Sequence, residues 1–184
     1  ILTGNSLLTL AFEILSSKNL KFSSKIKNEL IRSLAIYSGH LGLAGGQYFD
    51  LTYENKKISK KKIIEMQENK TGKLFAFCCE SAGIIKGLNS KKKNVLKKIG
   101  LDIGLLFQIT DDLIDYKGDS KIAGKLTRKD KIKGKQTLVD FMGYKKTLFF
   151  AKNLKNKINM RIKKYGNKSI DLSQSVEFIL NRKF

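Results

Sequence analysis

Apolar residues recur along this chain at helical spacing almost throughout. Leu7, Leu8, Ala11, Phe12 and Leu15 make one stripe, and Leu30, Leu34, Tyr37 and Leu41 make another. No segment alternates apolar and polar residues in the way a half-buried strand requires. The spacing predicts helices over roughly 1–17, 23–53, 59–87, 91–116, 136–165 and 171–182, joined by short Ser-, Asn- and Gly-containing segments, with Ser59 and Ser90 as N-caps. Residues 117–135 differ. They hold Gly118, Gly124 and Gly134 among many lysines with little periodicity, which predicts a loop or a broken helix. No internal repeat or composition shift marks a boundary, so residues 1–184 read as a single domain.

No apolar run reaches the length a membrane helix needs, and the most apolar stretch, Leu101 to Thr110, carries Asp102. Integral membrane association is not expected. Cys78 and Cys79 are adjacent and belong to no ligand cluster, which fits a reducing cytoplasm. The formal net charge of +21 raises nucleic acid as a partner. However, the lysines are spread from Lys18 to Lys183, and the arginines are only Arg32, Arg128, Arg161 and Arg182. Arg is the better bidentate reader of bases and phosphates, so this distribution reads as a solvated lysine surface and no nucleic-acid partner is expected. The opening at Ile1, directly into an apolar helical stretch, is read as a truncation.

The chemistry gathers in four places. Gln108, Asp111, Asp112 and Asp115 have offsets of 3, 4 and 7, which place them on one stripe of a helix. Three carboxylates there repel one another and weaken the helix, and a cation would relieve them. Magnesium, which takes one or two carboxylates together with waters and phosphate oxygens, suits such an open acidic face; the alternative is a solvated acidic helix end. Lys125 and Lys135, each preceded by Gly, come shortly after the aspartates and suit a diphosphate as point charges, although lysine-rich loops are also common as plain solvated surface. Gly72 in Lys70-Thr71-Gly72 stands inside a helical pattern, so either something approaches the backbone closely, a phosphate being one candidate, or the helix bends. Gly39, Gly42, Gly45 and Gly46 precede Gln47 and Asp50, which share a face, and fit either close helix packing or the wall of a cavity. His40 has no partner motif and reads as a packed or surface residue, while Phe75, Phe77, Phe107, Phe149 and Phe150 are expected in the core.

GLAGGQYFDL (42–51), KTGKLFAFCCESAGII (70–85), IGLDIGLLFQITDDLIDYKGD (99–119) and GKLTRKDKIKGKQT (124–137) stand in an order that resembles the trans-polyprenyl diphosphate synthase family, in particular the bacterial short-chain, farnesyl diphosphate type. The opening ILTGNSLLTLAFEIL and the closing VEFILNRKF extend the likeness over essentially the whole chain. FQITDDLID is similar to the family's second aspartate-rich motif. The resemblance implies an all-α, isoprenoid-synthase-type helical bundle, a homodimer, with a deep cavity between helices. It implies Asp111, Asp112 and Asp115 on Mg²⁺ (or Mn²⁺); Lys70, Lys125 and Lys135 on an allylic diphosphate; Thr71 and Gln108 orienting groups in the cavity; and Gln47 lining it. The implied reaction ionises the allylic diphosphate to a carbocation, which the double bond of isopentenyl diphosphate attacks before a proton is lost. Arg128 stands where the family usually has Gly, Val139 where Pro is common, and Asn5 where Asp is common. The family's first aspartate-rich motif and isopentenyl diphosphate site would lie before Ile1. The chain is therefore expected to be the C-terminal portion of an enzyme, its N-terminal helices missing, and inactive alone. The competing reading is a non-catalytic homologue that serves as an interaction subunit.

Overall fold

A computed structural model describes residues 1–117 and 134–182, and among these it contains helices and turns and no strand. The elements are α1 (Leu2–Ser16), α2 (Ser24–Ser38), α3 (Leu43–Thr52), α4 (Lys60–Gln67), a π turn (Glu68–Gly72), α5 (Lys73–Ile85), α6 (Ser90–Lys117), α7 (Leu138–Met142), α8 (Tyr144–Ile162), a 3₁₀ segment (Lys163–Ser169) and α9 (Ile170–Asn181). None of the described helices is long and apolar enough to cross a membrane.

Three of the expected helices prove to be composite. The one expected over 23–53 breaks where Gly39 and Gly42 take non-helical backbone angles, and the one over 136–165 breaks at Gly143, with φ 80°. The third, over 59–87, widens into the π turn between α4 and α5. Ser59 caps α4 as expected, accepting from the Lys62 N–H at 3.3 Å. For α6 the cap lies one residue earlier than expected. Asn89 Oδ1 accepts from the Lys92 N–H at 3.0 Å, and Ser90 is the first helical residue. The loop expected over 117–135 falls mostly outside the described residues.

The 28-residue α6 is the axis of the fold. Ile99, Ile103, Leu106, Ile109 and Leu113 on it meet Ala151, Leu154, Ile158 and Ile162 of α8, Val176 and Ile179 of α9, Leu138 and Val139 of α7, and Ile63 of α4. These aliphatic side chains leave contact with water together, and that burial is the main stabilising term. Phenylalanine, expected in the core, contributes at its edge only. Phe75, Phe107 and Phe150 pack against the cluster from partly buried positions, and Phe149 is 66% exposed, because it lies on the outer side of α8. Asp102 ties α6 to α8 through Arg161 and through Lys157 at 3.5 Å, and Glu177 ties α9 to α8 through Lys155 and Asn159, each at 3.0 Å. The apolar stripe of α1 is partly covered, with Leu7 and Leu8 exposed, Ala11, Phe12 and Leu15 half-buried, and no residue of that helix fully buried.

On its other side α6 packs against the π turn and α5, closely enough that a Cβ on Gly104 would lie 2.5 Å from the Gly72 Cα. The first alternative raised by the Gly72 position thus holds: a neighbouring helix approaches its backbone, where the helix widens into the π turn. Gly104→Ala is therefore expected to lose stability by about 1–3 kcal/mol through overpacking, despite the ~1 kcal/mol that Ala gains over Gly in a helix interior. Thermal denaturation should show Tm lowered by several degrees; an unchanged or raised Tm would mean that the helices do not cross this closely.

Candidate functional site

The site is built around the π turn. An α-helix advances about 100° per residue, and an extra residue in one turn shifts the phase of every later position. Two consecutive side chains of the widened turn meet different partners. Lys70 Nζ donates to Asp50 Oδ2 of α3 at 2.7 Å, and Thr71 Oγ1 donates to Gln108 Oε1 of α6 at 3.1 Å.

Asp50 is 6% exposed and lies on the side of α3 that rests on the π turn. A Cβ on Gly46, one turn earlier, would sit 2.2 Å from the Lys70 backbone nitrogen, so the packing reading of this glycine holds. Lys135 Nζ also donates to Asp50 Oδ2. It is aimed by its neighbours: Gly134, at φ 64°, accepts from the Asn55 N–H at 2.8 Å, and Gln136 Oε1 accepts from the Ile58 N–H at 2.6 Å. Two ammonium groups thus meet on one buried carboxylate. Burial alone would push the Asp50 carboxyl up; the hydrogen bonds from Lys135 and Lys70 and their charges outweigh it, and the net position is below the ordinary carboxylate value.

The acidic stripe of α6 divides. Asp112 is 3% exposed and turns inward, where Oδ2 accepts from Gln67 Nε2 at 2.8 Å and Oδ1 from Gln108 Nε2 at 3.0 Å. Asp111 accepts from Arg182 Nη2 at 2.6 Å, and the same guanidinium donates to the Phe107 carbonyl at 3.0 Å and lies 4.0 Å over the Phe107 ring. Among the described residues no three or more acidic, Cys or His side chains are grouped so as to hold a metal. The reason is that Asp112 is engaged by two amides, while Asp111 and Asp115 stand one helical turn apart. Two carboxylates at that spacing still fit a magnesium ion, which completes its shell with water and phosphate oxygens. The repulsion expected along the stripe is met within the protein by Arg182.

Lys70, Thr71, Gln108 and Lys135 are thus brought together by the fold, directly or through Asp50 and Asp112. Gln47, partly buried, sits one turn before Asp50. Lys125 and Arg128 lie outside the described residues. His40 is exposed, and Cys78 and Cys79 are free thiols; burial, with Cys78 beside it, pushes the Cys79 thiol up to about 11, so it stays protonated near neutrality.

Sequence reasoning named Asp50 only for its shared face with Gln47, and it missed Gln67 and Arg182. Signals existed for both. Gln67 interrupts the buried stripe of Ile63 and Met66, and Arg182 is a rare arginine in a chain that uses lysine almost everywhere else.

The all-α bundle thus places two lysines on one buried aspartate, beside an acidic helix face. The family model described as polyprenyl synthetase matches residues 1–174, and the chain belongs to that family. A farnesyl diphosphate synthase of Micrococcus luteus is 36% identical over 143 residues, 78% of this chain and 48% of the relative. A geranylgeranyl diphosphate synthase of Cyanophora paradoxa is 30% identical over 183 residues, 99% of this chain and 61% of the relative. Among solved structures, a geranyltransferase of Helicobacter pylori in complex with magnesium and isoprenyl diphosphate superposes with TM-score 0.80 at 29% identity, over 98% of this chain and 58% of that one. The chain spans about half to three-fifths of the length of these proteins.

Asp50→Asn leaves two ammonium groups facing each other without their counterion. We expect a loss of about 2–3 kcal/mol at pH 7, less than the full cost for a wholly buried pair because Lys70 keeps contact with water. The sign with pH comes from the lowered Asp50 pKa: its contribution is present above the ordinary value of 3.8 and is lost as pH falls through the lower folded value. Urea unfolding of the two proteins should therefore differ most at neutral pH, begin to converge only below about pH 4, and meet once pH is below the lowered folded value; a difference that stayed constant with pH would rule out the ionised pair.

Proposed function

We propose that the protein is a prenyltransferase that condenses isopentenyl diphosphate with an allylic diphosphate, dimethylallyl or geranyl, releasing diphosphate and giving farnesyl diphosphate. The observation that carries this reading is the meeting of Lys70 and Lys135 on Asp50, one residue along the π turn from the Thr71–Gln108–Asp112 chain that leads to the acidic face of α6. Family membership supports the reaction class. The farnesyl product rests on the likeness to bacterial short-chain synthases. Residues 1–184 would form one partial domain of the enzyme, and the enzyme would work as a homodimer in the cytoplasm.

In this reading Lys70 and Lys135 exchange Asp50 for the oxygens of the allylic diphosphate, and Lys125 adds a third contact, as the resemblance implies. Positive charges fixed where the leaving group gathers negative charge favour the ionised state over the ground state. Thr71 and Gln108 orient groups in the cavity, and Gln47 lines it. Asp111 and Asp115 would hold Mg²⁺, or Mn²⁺ in its place, on the face where the diphosphate lies. When bound, the ion would supply further neutralisation of the departing diphosphate.

The test uses the complete protein with labelled isopentenyl diphosphate and geranyl diphosphate. We expect a fifteen-carbon product that forms only with Mg²⁺ or Mn²⁺, and a fall in kcat/KM of about 10²–10³ for Lys70→Ala and for Asp111→Ala, the scale of losing one charge-stabilising group. Full turnover after exhaustive metal removal, or in either variant, would overturn the assignment.

A further inference from the structure

We propose that Gln67 is a positioning residue of the prenyl-transfer site, acting through Asp112 on Gln108 and Thr71. The proposal rests on the prenyltransferase reading for its kinetic consequence and on the geometry alone for the network itself.

Gln67 ends α4, immediately before the π turn, and is 3% exposed. Its neighbours on the same buried face, Ile63 and Met66, are apolar. An aliphatic side chain of similar volume would suit that place better, because the amide carries a cost. Nε2 donates to Asp112, but Oε1 is buried with no hydrogen-bond partner among the described residues. A buried acceptor left without a donor costs about 1–3 kcal/mol. Flipping the amide would not relieve this, since it would aim Oε1 at a carboxylate oxygen. The side chain is therefore explained by the one bond it makes, to Asp112.

That bond has a directional consequence. A carboxylate only accepts, so Gln108 must present its NH₂ to Oδ1, and Gln67, on Oδ2, holds that carboxylate where Gln108 meets it. Gln108 Oε1 is then turned toward Thr71, and it takes the hydroxyl proton. The Thr71 oxygen is left with lone pairs alone to offer elsewhere, the polarity that favours positive charge in its surroundings. Each step is set by the one before it, and the chain begins at two amides that hold the two oxygens of Asp112. Asp112 thereby serves as the anchor of the chain.

Two measurements test this. First, NMR of the uniformly ¹⁵N-labelled chain without substrate or metal: the Gln67 and Gln108 side-chain amide protons should lie downfield of the exposed glutamine amides, and Gln67→Leu should shift the Gln108 pair. Gln67→Met serves as a second volume-conserving variant should Leu fold poorly. A Gln108 amide unmoved in both variants would overturn the network, whatever reaction the protein carries out. Second, kinetics of the complete enzyme: Gln67→Leu should lower kcat about tenfold, while KM for geranyl diphosphate and Mn²⁺ affinity by EPR stay within about twofold, since Lys70, Lys135, Asp111 and Asp115 are untouched. In a Thr71→Val background the same substitution should add less than about twofold, because both act through one chain. Multiplicative effects, or a Mn²⁺ affinity that falls with kcat, would overturn the positioning role. A wild-type protein without condensation activity would sink the functional reading, and the NMR result would still decide the network.

Discussion

One widened helical turn, Glu68–Gly72, determines where the chemistry of this protein sits. Within it Lys70 points to α3 and Thr71 to α6, and the turn is held open by close backbone packing from both sides, with Gly46 on Lys70 and Gly104 on Gly72. A widened turn is costly in isolation and is found where surrounding structure enforces it, commonly at functional sites. Here the enforcing structure is also what supplies Asp50 and Gln108, so fold and site cannot be separated.

The second organising feature is internal neutralisation. Two lysines share Asp50, and Asp111 takes Arg182 from the end of α9. Each of these charges would be expensive to bury alone. Together they give a site that is stable without ligand and whose groups are the ones a diphosphate and a divalent ion would claim. Under the proposed function, binding would amount to an exchange of partners, which keeps the net electrostatic change small and the geometry in place beforehand.

Much of this was legible in the residue pattern. Helical periodicity located nearly every element of the bundle, and the spacing of Gln108, Asp111, Asp112 and Asp115 located the acidic face. The failures have physical reasons. Gly39, Gly42 and Gly143 cut helices whose apolar spacing continues across the break. Phe149 shows that a single large apolar residue does not reveal which side of its helix faces inward. The inward turn of Asp112 was invisible because it depends on Gln67, 45 residues away in sequence. Likewise Arg182 reaches Asp111 across 71 residues, and no local pattern encodes such a pairing.

The most direct measurement is a crystal structure of the protein with Mg²⁺ and a non-reactive allylic diphosphate analogue. We predict that Lys70 and Lys135 leave Asp50 for diphosphate oxygens, that the ion rests on Asp111 and Asp115, and that Asp112 stays between Gln67 and Gln108. A diphosphate bound elsewhere, with both lysines still on Asp50, would contradict the partner exchange on which the site depends.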